Sequence, residues 1–182
     1  AQESRGLGDV YKRQVQGGIV QMISHGFVSG AMFLCIGVLY DRMHTRNIAD
    51  YGGVVNVMPK FAAFFVLFSM GNAGLPATSG FVGEFMVILG AVQFNFWIGL
   101  LAATALILGA AYSLWLAKRV IFGAITNHHV SEMADLNKRE FLMLGLLAIA
   151  VLAMGLYPAP FTDAMQTSVT DLLKHVAISK LN

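Results

Sequence analysis

Residues 71–85 read GNAGLPATSGFVGEF, and they set helix breakers and a lone carboxylate, Glu84, inside an apolar run that extends from Pro59 to about Phe94. As one helix at ~1.5 Å per residue that run would be roughly 50 Å long, against a hydrocarbon core of ~30 Å. A helix broken over about 72–80 is therefore expected. Gly71, Gly74, Pro76 and Gly80 supply the break, because proline removes a backbone donor and glycine admits the conformations of an unwound segment. Asn72, Thr78 and Ser79 are the side chains expected to hydrogen-bond the backbone groups so freed. Non-helical backbone at membrane depth persists only where protein or a water-filled cavity surrounds it, which turns this segment towards the interior of a bundle. Interrupted helices of this kind mark ion and substrate sites.

Composition agrees with that setting: 57% of the residues are apolar and only 12% charged, which places the chain among polytopic, all-α membrane proteins. Beyond residue 14 every Lys, Arg, Asp and Glu lies in a loop, at a helix end or in the tail, Glu84 excepted. A net charge of +2 offers no basic surface for nucleic acid, so none is expected as a partner. Cys35 is the only cysteine, which excludes an intrachain disulfide and a cysteine cluster for zinc or iron–sulfur. No glycine-rich phosphate loop, nucleophile triad or haem motif is present, so no cofactor, metal or redox site is expected on this chain.

Outward from the break, four spans are expected, at about 15–40, 59–94, 96–117 and 141–157. In the first, Gly17, Gly18, Gln21, His25 and Ser29 recur every three to four residues and form a small, polar stripe suited to contact with other helices. Residues 158–182 read as an amphipathic tail, with Phe161, Met165, Val169, Leu172, Leu173 and Val176 opposite Asp163, Asp171 and Lys174. Residues 1–14, with five charges and two glycines, resemble nothing after them and are expected to be a non-native leader, with a short surface helix as the alternative. Arg42, Arg46, Lys60, Lys118, Arg119, Lys138 and Arg139 fall on one side of these spans and Lys174 and Lys180 on the other, which makes the first side cytoplasmic.

Glu84 is the leading candidate for chemistry, since an isolated carboxylate at membrane depth costs ~2.5 kcal/mol or more and is seldom idle. It would relay protons or cations; the competing reading is a strut that hydrogen-bonds the unwound backbone. His25, with a reference pKa of ~6.5, suits proton transfer, against a core histidine bonded to Ser29 or Gln21. Arg42 and Arg46 read as interface anchors, with a gating role for Arg46 as the alternative. His128 and His129, adjacent in a loop without a third ligand, are a weak metal signal.

The run QMISHGFVSGAMFLCIGVLYDRMHTRNIADYGG, followed by GLPATSGFVGEF, resembles the C-terminal part of the subunit M (chain 4) family of NADH-quinone oxidoreductase, respiratory complex I, over residues 15–182. The resemblance implies an antiporter-like subunit of fourteen helices in two inverted repeats, of which this chain would hold the later helices of the second repeat and the final helix. It would then be a fragment, lacking the first repeat. Glu84 matches that family's ionisable residue on the second broken helix, on the proton exit side; His25 matches the histidine of the central hydrophilic axis, and Arg46 the arginine of the His-Thr-Arg motif. The resemblance further implies proton transport, with sodium as the alternative ion, coupled to quinone reduction in a bacterial inner membrane. The partners implied are the lipid bilayer and neighbouring complex I subunits, with NADH, flavin, iron–sulfur clusters and quinone held by other subunits. A subunit of a multi-subunit cation/proton antiporter, and a structural membrane scaffold with Glu84 as a strut, are the alternative readings.

Overall fold

A computed structural model describes residues 2–179; Ala1, Lys180 and the rest of the tail to 182 lie outside the described residues. Among the described residues the fold has seven helices, two short 3₁₀ turns and no strand. Helix α1 (Gln2–Met43) is followed by turns at Ile48–Asp50 and Val54–Asn56, then α2 (Pro59–Asn72), α3 (Ser79–Phe94), α4 (Phe96–Val120), the single turn α5 (His128–Ser131), α6 (Lys138–Leu156) and α7 (Ala159–Ser179).

Three helical stretches, Val10–Met43, Phe96–Val120 and Lys138–Leu156, are long and apolar enough to cross a membrane. The run 59–94 is divided instead into helices of 14 and 16 residues, each only about 20–25 Å long and too short to cross alone. Their arrangement follows from contacts along α1. Met32 receives the Ser69 hydroxyl, and Val28 lies beside Gly71. Further down, Ser24 donates to Ser79, Gln21 lies against Gly83, Gly17 against Met86 and Val87, and Gln14 against Gly90. The partner numbers rise steadily as the α1 numbers fall, so α2 and α3 follow one another antiparallel to α1.

Helix ends differ from the expected spans for identifiable reasons. Helix α6 starts three residues before 141 because Asn137 and Glu140 form a capping box, each side chain bonding the other's backbone N–H, which draws Lys138, Arg139 and Glu140 into the first turn. Asn95 caps α4 through the N–H groups of Trp97 and Ile98, so a single residue joins α3 to α4. Helix α1 runs through residue 14 without interruption, and α7 packs on it with Val169 buried, while Phe161, Leu172 and Val176 remain exposed.

The core lies at the end of the bundle where α1 finishes and α2 begins. Phe61, Phe65 and Phe68 of α2 pack there among Val28, Ala31, Cys35 and Val38 of α1, Val120 of α4 and Leu144 and Val151 of α6. The two connections at this end are structured rather than loose: Gly53 N–H donates to Phe122 O and Val55 N–H to Ile121 O, while Val54 and Met58 are fully buried. Gly53 has φ +68°, and a Cβ there would lie 2.8 Å from Ile125 N, so a side chain is excluded on both counts.

Candidate functional site

The helical gap at 73–78 is a tight, confined turn. Gly74 (φ +72°) and Ala77 (φ +77°) both adopt left-handed backbone, which is sterically costly at Ala77. Thr78 bonds the backbone within the gap, its hydroxyl donating to Leu75 O at 2.6 Å. The other two expected partners do not. Asn72 donates to Tyr112 OH (2.8 Å) and Ser113 Oγ (3.0 Å) of α4, and Ser79 accepts from Ser24 (2.7 Å), because both point at neighbouring helices rather than along the gap. Four glycines allow the close packing: Gly80 lies against Gly71 O, Gly155 of α6 against Ala77 and Thr78, Gly83 against the Gln21 backbone, and Gly74 against Glu84 Oε2.

Glu84 lies in the second turn of α3, and its side chain reaches back towards the helix start, as helical side chains do. Its carboxylate is placed between Gly74 of the gap and Gln21 of α1, with Leu106 of α4 beside Gly74. Leu106 is ten residues from the start of α4 and fourteen from its end, or roughly 15 and 20 Å, which is deep in any ~30 Å slab that α4 crosses. Gln21 Nε2 donates to Glu84 Oε1 at 3.2 Å. Glu84 Oε2 and Gln21 Oε1 are buried without a hydrogen-bond partner, and Glu84 forms no ion pair among the described residues. Glu84 is half-buried and meets a neutral partner, with no cation against its carboxylate among the described residues.

The other sequence candidates lie apart from this carboxylate. His25 is on the exposed side of α1; Ser29 donates to its backbone oxygen (2.6 Å), and neither Ser29 nor Gln21 bonds its ring. Arg46 is exposed beyond the end of α1, its guanidinium 5.1 Å from the Tyr40 ring centroid, at an apolar cleft of about 480 Å³ lined by Phe33, Ile36, Ile48 and Phe65. His128 and His129 are exposed, and His128 Nδ1 lies 3.6 Å from Glu132.

Sequence reading did not find the partners of Arg42. All five of its N–H groups are used: on Ala134 O, Val38 O, Asp135 O and both oxygens of Glu140, the shortest Glu140 contact being 2.9 Å. Asp135 in turn accepts from the N–H groups of Lys60 and Phe61 at the start of α2. Arg42 thereby ties α1 to α2 and α6 at the end where the basic residues collect.

Comparison with known proteins agrees with this arrangement. The family described as NADH:quinone oxidoreductase/Mrp antiporter, TM, matches residues 10–110, starting inside the expected leader and covering α3 with Glu84. The chain belongs to this family. NADH-quinone oxidoreductase subunit M of Rhodobacter capsulatus is 48% identical over 170 residues, which is 93% of this chain and 33% of that protein. The chain thus spans about a third of the length of the curated relatives it matches. A chain of respiratory complex I from Thermus thermophilus with bound NADH superposes with a TM-score of 0.82 at 29% identity, over 92% of this chain and 36% of that one. The Mrp complex from Dietzia sp. shares the fold alone, with a TM-score of 0.77 at 20% identity over 87% of this chain and 38% of its own.

Proposed function

We propose that this chain is part of a proton-translocating membrane subunit of an NADH:quinone oxidoreductase, in which Glu84 takes up and releases the transported proton. The observation that carries the reading is the Glu84 carboxylate itself, unpaired, with one buried oxygen unfilled, beside a helix gap midway along α4. Kinship with subunit M of Rhodobacter capsulatus supports the quinone reductase over the antiporter, because the Mrp likeness is one of fold only. On this reading the chain sits in the bacterial inner membrane against neighbouring membrane subunits. NADH, flavin, iron–sulfur clusters and quinone belong to other subunits of the complex, and this chain converts their redox work into ion movement. His25, exposed on α1, would face a further part of the proton path, and Arg46 would anchor the α1 end at the cytoplasmic interface.

Glu84→Gln tests the proposal. It keeps the side-chain shape and much of the hydrogen bonding but cannot titrate in the working pH range. In assembled enzyme, with assembly assayed separately, protons translocated per electron pair are expected to collapse. Parental translocation by the assembled variant would leave Glu84 as a strut. Repeating the assay without sodium distinguishes protons from sodium ions as the cargo.

A further inference from the structure

We infer that Gln21 is the positioning residue for the Glu84 proton, its side-chain amide turning over so that it donates to the carboxylate and accepts from the neutral acid. The inference rests on the reading of Glu84 as a proton carrier and adds to it the group that holds both of its charge states in one place.

The placement of the pair accommodates the ionised state. Gln21 Nε2 donates to Glu84 Oε1 at 3.2 Å, and the two atoms left over, Gln21 Oε1 and Glu84 Oε2, are both acceptors, both buried and both without a partner. An ionised carboxylate supplies acceptors only, so no arrangement of the pair can satisfy these two oxygens with each other. One proton on Glu84 changes the count. The acid gains an O–H donor, and rotation of the amide about its last torsion brings a carbonyl to receive it. The amide oxygen and nitrogen are close in size, so the rotation needs almost no room.

Room is what the site lacks. A Cβ on Gly83 would lie 2.7 Å from Gln21 N and 2.8 Å from Gln21 Cα, so α1 and α3 touch backbone to backbone one residue before Glu84. On the other side Gly74, in left-handed conformation, lies against Glu84 Oε2. The carboxylate is confined between the gap and the amide, and turning in place is the movement left to Gln21. An aliphatic side chain there would bond neither state, and a cationic one would hold only the ionised state.

The proton balance is closed by water. A hydronium ion gives its proton to the Glu84 carboxylate, leaving water and the neutral acid, and release to a water molecule reverses the step. The amide keeps both its N–H bonds throughout and carries no proton itself.

The test uses assembled enzyme and infrared difference spectra between low and high pH, in which the Glu84 carboxyl band is identified by its absence from Glu84→Gln. In Gln21→Leu that band is expected to move to higher wavenumber, as the acid O–H loses its acceptor, and most proton translocation per electron pair is expected to be lost. A band and a translocation ratio both at parental values would overturn the inference. Should Gln21→Leu fail to assemble, the unsubstituted enzyme labelled with ¹³C at the glutamine side-chain carbonyl gives the same answer. A paired gain and loss at the labelled frequency that vanishes in Glu84→Gln supports the turnover, and a flat labelled region overturns it. If Glu84→Gln itself translocates normally, the proton-carrier reading fails and takes this one with it. If Glu84→Gln is inactive while Gln21→Leu behaves as the parent, only the role of Gln21 is lost.

Discussion

Two glutamates in this bundle each meet a side chain of α1, and they are held in opposite ways. Glu140 receives both terminal nitrogens of Arg42 and the N–H of Asn137, and its residue is 8% exposed. Glu84 receives one neutral amide and leaves an oxygen buried and unfilled. Arg42 and Gln21 are 21 positions apart, roughly 30 Å along the axis of one helix. At one end a carboxylate that accepts three hydrogen bonds, two of them from a fixed cation, joins α1 to α6, and a proton would have to displace a bidentate arginine to reach it. At the other, the carboxylate has no cation to displace among the described residues. The contrast separates the two carboxylates by partners, in line with a structural role for Glu140 and the proposed exchanging role for Glu84, where burial alone would rank Glu140 as the more unusual.

Substitutions at each end break or sharpen that contrast. The largest effect on stability is expected from Arg42→Ala, which leaves Glu140 buried without its cation and removes the link to Asp135; loss of one member of a buried pair costs about 3–5 kcal/mol. It should appear as depleted subunit in the assembled complex and a lower thermal midpoint in detergent. Arg42→Lys should recover only part of this, having one nitrogen to serve acceptors on four residues.

Gly83→Ala comes next. Its Cβ would press on the Gln21 side-chain oxygen and also on the Gln21 backbone, which cannot move aside as a side chain can, and such overpacking costs about 1–3 kcal/mol. The same shift separates Gln21 from Glu84, so translocation per electron pair should fall further than the amount of assembled enzyme. Equal losses in both would assign the residue to packing alone.

Asn137→Ala, at the Glu140 end, has the smallest expected effect. It removes one half of the capping box, worth about 1 kcal/mol, while the Arg42 contacts persist. Thermal melts should register it, and proton translocation per electron pair should stay at the parental ratio.

Much of this arrangement was legible in the sequence, and the parts that were not have a geometric cause. Of the four residues expected to break the run, Gly74 and Pro76 lie in the gap, whereas Gly71 is inside α2 and Gly80 inside α3, since α2 stops at Asn72 and α3 starts at Ser79. Glu84 announced itself by isolation. The stripe on α1 was harder, because steps of four residues advance about 400° at 3.6 residues per turn and drift roughly 40° each time. Gly17 is accordingly buried, Gln21 half-buried and His25 exposed. The inward line alternates steps of four and three through Gly17, Gln21, Ser24, Val28, Ala31, Cys35 and Val38, and it includes Ser24, which the stripe omitted. Asn72 and Ser79 were expected to mend the gap and instead bond α4 and α1, partners that local reading does not supply. The Arg42 cluster was invisible for the same reason, since Ala134, Asp135 and Glu140 lie more than ninety positions away in the chain.

Proton translocation per electron pair by Glu84→Gln and Glu140→Gln, measured side by side in assembled enzyme, tests the distinction most directly. Each substitution removes one titratable carboxyl and keeps its shape. Glu84→Gln is expected to assemble and lose translocation, whereas Glu140→Gln, which retains a side chain able to cap α6, is expected to assemble less well and translocate at the parental ratio. The reverse pattern, with Glu84→Gln at the parental ratio and Glu140→Gln deficient, would contradict the account.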